Sequence, residues 1–130
     1  MAINTFWDDG KKTRVLVEFE TSWSWDELEN AIRQIDQFIA SVQHNVDIII
    51  DVEGSTLPND FMKAAKGLLN SNDDARDNEG HRIIVGASDT IRKAYQTFAN
   101  TFGKRLIGRE VLFANDLSHA RAMLHSMRLD

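Results

Sequence analysis

The run Val46-Asp47-Ile48-Ile49-Ile50-Asp51 constrains this chain more than any other stretch. Its Val and Ile residues are stiff at the first side-chain torsion and fit a pleated strand better than a helix. The apolar residues come without alternation, which suits a strand covered on both faces. A strand of that kind needs a layer of helices around it. After it comes Val52-Glu53-Gly54-Ser55-Thr56-Leu57-Pro58-Asn59-Asp60. These small and polar residues supply turn and capping chemistry. Strand, loop and helix start follow one another here, and the junction is the first candidate for a functional site.

The flanking patterns supply the other layers. Ile3 to Trp7 and Thr13 to Glu20 read as strands, the second with Val15, Val17 and Phe19 on one face. Asp9-Gly10 lies between them, a short-range hairpin signal because Gly accepts positive φ. Ser24 with Glu27 three residues later forms a capping box. From there Leu28, Ile32, Ile35, Ile39 and Val42 make one helical stripe, so a helix is predicted over Trp25–Val42. A second helix is predicted from Pro58 or Asn59, with Phe61, Ala65, Leu68 and Leu69 inward. Asn70 to Gly80 is the most polar segment and reads as an exposed loop. Ile83-Ile84-Val85-Gly86 is a short strand. Ser88-Asp89-Thr90 caps a third helix, Val111-Leu112-Phe113 is the last strand, and Asn115-Asp116 starts a fourth helix.

The expected order is β-β-α-β-α-β-α-β-α. Strands alternating with helices imply an α/β fold with a mostly parallel sheet and right-handed crossovers, made mixed by the opening antiparallel hairpin. The 130 residues fit one domain spanning 1-130. The hairpin leaves a sheet edge, and such edges pair, which makes a homodimer a candidate assembly.

Composition removes several classes of function. The chain has no Cys, so disulfides, thiolate zinc sites and Cys nucleophiles are excluded. Its formal net charge of -5 argues against a nucleic-acid backbone as partner. No apolar run approaches the about 20 residues that span a bilayer, and the first residues do not resemble a signal peptide, so a cytoplasmic location is expected. His44, His81, His119 and His125 form no i, i+4 pair, so no metal site is expected. Asp73, Asp74, Asp77 and Glu79 fit no register of a calcium loop. Gly-rich phosphate loops and a nucleophile elbow are missing, and no cofactor is expected.

Some residues still invite a functional reading. Asp51, at the carboxyl end of the central strand, is similarly placed to the phospho-acceptor of receiver domains. A receiver also needs a Lys after its last strand, and Val111-Leu112-Phe113-Ala114-Asn115 offers none. The plainer reading of Asp51 is a strand-end acid that bonds loop amides. Phe61, Tyr95, Phe98 and Phe102 would line a pocket for a small apolar or lipid-like ligand, or form ordinary core. Trp7, Trp23 and Trp25 gather near the first helix start, as a partner surface or as a staple onto Leu28. Lys104, Arg105 and Arg109 form a short basic stretch, a site for an anion or an acidic partner or, more simply, a helix flank favoured by the dipole.

Taken together, the hairpin, the Trp23-Ser24-Trp25-Asp26-Glu27-Leu28 helix start, the Val46–Asp51 strand and the Ile83–Gly86 strand resemble the STAS-like domains. These are the sulfate-transporter and anti-sigma-factor-antagonist domains, in particular a small stand-alone bacterial branch related to the lipid-binding CRAL-TRIO fold. The resemblance implies a mixed sheet with helices mainly on one side, and a regulatory, protein-binding role without an enzyme reaction. In the phospho-switched members a Ser follows an Asp at the helix start after the central strand. This chain has Leu57-Pro58-Asn59-Asp60-Phe61 there, so the switch serine is absent. The expectation is a non-enzymatic interaction module that meets a protein partner through Asp51, Glu53, Ser55, Thr56, Asn59 and Asp60. The alternatives are a carrier of an apolar ligand, or a phospho-acceptor or hydrolytic enzyme using Asp51 or Ser55.

Overall fold

The computed structural model describes residues 2–56, 77–102 and 111–128, with backbone alone for 95, 97–102 and 128. The predicted second helix, with Phe61, lies outside the described residues, as do Asn59, Asp60, Lys104, Arg105 and Arg109. Among the described residues five strands form one sheet: β1 (Ile3–Trp7), β2 (Arg14–Phe19), β3 (Val46–Asp51), β4 (Glu79–Val85) and β5 (Val111–Ala114). They lie side by side in chain order. The β1–β2 pair is antiparallel and every later pair is parallel. The sheet is therefore mixed and mostly parallel, opened by a hairpin. Three described helices flank it: α1 (Trp25–Ala40), α2 (Asp89–Phe102) and α3 (Leu117–Arg128).

The strand register explains how an unalternating run can be satisfied. Val15 pairs with Ile48 and Val17 with Ile50, and these residues face α1, where Ala31 and Ile39 are buried. Leu16, Ile49 and Ile83 line up across three strands on the opposite face, against Ala120 and Leu124 of α3. β3 thus sends Ile48 into one core and Ile49 into the other, each 3% exposed or less. The guanidinium of Arg92, in the first turn of α2, lies 4.7 Å from the centroid of the Phe113 ring. Phe113 pairs with Ile84 in the same row as Val17 and Ile50, so this contact brings α2 to the α1 face.

Local chemistry sets the boundaries. The capping box forms: Ser24 Oγ accepts from the Glu27 N–H, and Glu27 Oε1 accepts from the Ser24 N–H. α1 stops at Ala40, two residues short of the sequence-based boundary. Ser41 Oγ donates to the Phe38 carbonyl, and Asn78 Nδ2 lies within 2.9–3.2 Å of the carbonyls of Ile39, Val42 and His44. These partners occupy carbonyls that a helix end leaves open.

Two expectations need correction. Lys12, not Gly10, takes positive φ in the hairpin connection. The Asp9 carboxylate shapes that connection by accepting from the N–H groups of Thr13 and Arg14 and from the Thr13 hydroxyl. The polar segment also ends earlier than expected, because Glu79 and Gly80 already belong to β4. The reason lies in a bulge. Between Val46–Glu79 and Ile48–Arg82 the register shifts, so Asp47 faces both Gly80 and His81. A bulge leaves an amide without a ladder partner. Asp47, only 4% exposed, accepts the His81 N–H at 2.8 Å. A Cβ on Gly80 would lie 2.2 Å from Asp47 Oδ1, so a bare Cα is what lets the carboxylate reach in.

Candidate functional site

In open α/β sheets, ligands and partners meet the loops beyond the carboxyl ends of the strands. Here that edge is built from the segments after β2, β3, β4 and β5. The loop after β3 is the most constrained of them. Asp51 Oδ1 accepts the Glu53 N–H at 3.1 Å, so the strand-end acid does bond a loop amide. The Val52 N–H continues the sheet by donating to the Val85 carbonyl at 3.0 Å. Gly54 then takes φ +74, a left-handed conformation that Gly adopts at little cost, and the Ser55 N–H returns to the Val52 carbonyl.

Neighbouring segments hold this loop from both sides. On the β2 side, the Thr56 N–H and hydroxyl both donate to the Thr21 carbonyl, at 3.0 and 2.9 Å. Trp23 Nε1 donates to Ser55 Oγ at 2.8 Å, and Ser55 is only 8% exposed. The Trp23 ring meets both Phe19 and Trp25 edge-on, each with centroids 5.1 Å apart. On the β4 side, Gly86 has φ +70 and donates its N–H to the Ala114 carbonyl. A Cβ there would lie 2.6 Å from Glu53 Cβ, so Glu53 rests on a position that admits no side chain.

The predicted site residues therefore divide into groups. Asp51, Glu53, Ser55 and Thr56 do come together in one short loop. Of these, Glu53 and Thr56 are exposed, Asp51 is half-buried and Ser55 is buried. Asn59 and Asp60 lie outside the described residues. The pocket reading also lies outside them: Phe61 is not described, and Tyr95, Phe98 and Phe102 are described only as backbone in α2. Sequence reasoning missed Thr21, Gly86 and the bond from Trp23. Only Trp23 carried a usable signal, because an indole N–H that becomes buried needs an acceptor.

The loop presents hydrogen-bonding and charged groups: the Asp51 and Glu53 carboxylates and the Ser55 and Thr56 hydroxyls. The partner of Ser55 is an indole, which donates and cannot take up a proton. Among the described residues no group of three or more His, Asp or Glu is arranged to hold a metal ion. The histidines are dispersed: His44 Nε2 bonds the Lys12 carbonyl, and His119 Nδ1 accepts the Asn115 N–H at the start of α3. No described helix is long and apolar enough to cross a membrane.

Ionic contacts gather at the opposite, amino edge. Asp8, whose side chain is 4% exposed, bonds Arg14 Nε at 3.0 Å and Arg121 at 2.7 Å. The Arg121 bond, working against burial and helped by Arg14, holds the Asp8 carboxyl below the usual carboxylate range. Burial pushes Asp9 up, but its bonds from Thr13 and Arg14 outweigh that and lower it too. Comparison of the chain with family models, with curated proteins and with solved structures yields no match.

Proposed function

We propose that the chain is a non-enzymatic interaction module of the STAS type, and that its docking face is the loop from Asp51 to Thr56. One observation carries this reading. The loop after the central strand is tied to Thr21 and Trp23 on one side and seated on Gly86 on the other, with Glu53 exposed. A loop fixed before binding loses little entropy when a partner docks. Its functional groups are the two acids Asp51 and Glu53 and the exposed Thr56, which suit a polar protein surface. The mixed sheet with its opening hairpin agrees with what the STAS resemblance implies, as does the presence of α1 and α2 on one face.

The test is capture from a lysate of the native host, with immobilised wild-type protein, Glu53→Lys and Arg33→Ala. The expected result is a partner retained by the wild type and by Arg33→Ala and lost with Glu53→Lys. Equal retention by all three rejects this face. Self-association is part of the same proposal, because β1 forms one edge of the sheet and its Phe6 is 40% exposed. Light scattering at two concentrations is expected to give the mass of a dimer, and a monomer at both would remove it.

A further inference from the structure

We draw no further inference here: the strongest candidate, the hollow of about 380 Å³ at the amino edge of the sheet between His44, Asp47, His81 and Met127, carries nothing because its buried carboxylate already accepts the His81 N–H and no buried side-chain polar atom among the described residues lacks a partner that a ligand would supply.

Discussion

The two edges of the sheet are held by different kinds of bond. At the amino edge, acids are drawn inward: Asp8 lies between two arginines, and Asp47 fills the bulge in β4. At the carboxyl edge the loop after β3 is tied to its neighbouring segments by neutral bonds, an indole to a hydroxyl and a threonine to a carbonyl, with a glycine under Glu53. A buried charge is costly to strand, so the amino edge tolerates little change. Neutral bonds are each worth about 1 kcal/mol net, so the carboxyl edge is free to vary in chemistry while keeping its shape. That division is what the proposed docking face requires: an amino edge that maintains the fold and a carboxyl edge that can vary.

The largest effect is expected from Gly80→Ala. Its Cβ has no room beside Asp47 Oδ1 at 2.2 Å and the Val46 carbonyl at 3.1 Å, so either the bulge or the Asp47–His81 bond must give way. Overpacking together with a lost charged bond should cost about 3 kcal/mol, read as a fall in the urea midpoint. A loss under about 1 kcal/mol would mean that the amino edge is less rigid than argued.

Asp8→Asn should follow, at about 2 kcal/mol near neutral pH, since hydrogen bonds to charged groups contribute about 1.5–3 kcal/mol. The pH dependence sharpens the test. The folded carboxyl titrates below its unfolded value, so its stabilisation is fully present above the unfolded pKa of about 3.9 and is lost as pH falls through the folded value. The gap between wild type and Asp8→Asn should therefore narrow in acid. A gap independent of pH would remove Asp8 ionisation from the account.

At the carboxyl edge, a double-mutant cycle of Trp23→Phe and Ser55→Ala should return a coupling of about 1 kcal/mol. It should show no slope with pH across the carboxylate range, since neither group titrates there. A coupling that grew or vanished in acid would erase the contrast between the edges. The smallest effect belongs to Arg33→Ala. Its bond to Glu29 spans one exposed helix turn, and thermal melts should shift by less than the equivalent of about 0.5 kcal/mol.

Much of this fold was legible because its signals are local. The apolar run of β3, the alternation of Val15 and Val17, the Ser24–Glu27 box and the Ser88 and Asp116 caps each lie within a few residues of what they control. The hairpin was also readable, but its positive φ fell on Lys12, because the carboxylate of Asp9, the first member of the Asp-Gly pair, reaches forward to the Thr13 and Arg14 amides and shapes the connection beyond Gly10. What sequence could not give is pairing at a distance. Nothing around Asn78 says that it will end a helix 38 residues earlier, at Ala40, and nothing around Ser55 names Trp23. The site loop was found by its position after β3, whereas the groups that fix its shape come from the ends of β2 and β4. Asp51 was the one site residue whose immediate bond was foreseeable, because a carboxylate two residues before an amide can fold back onto it.

The bond between Asp8 and Arg121 has a consequence for the cost of closing the fold. Its partners stand 113 positions apart in a chain of 130. Within the hairpin the acid is already answered by Arg14, a neighbour six positions on. The second guanidinium comes from α3, the last of the described helices. Arg14 alone already balances the Asp8 charge, so what Arg121 adds is a second set of hydrogen bonds and a tie between the hairpin and α3, made at the greater loop-closure cost of a distant contact.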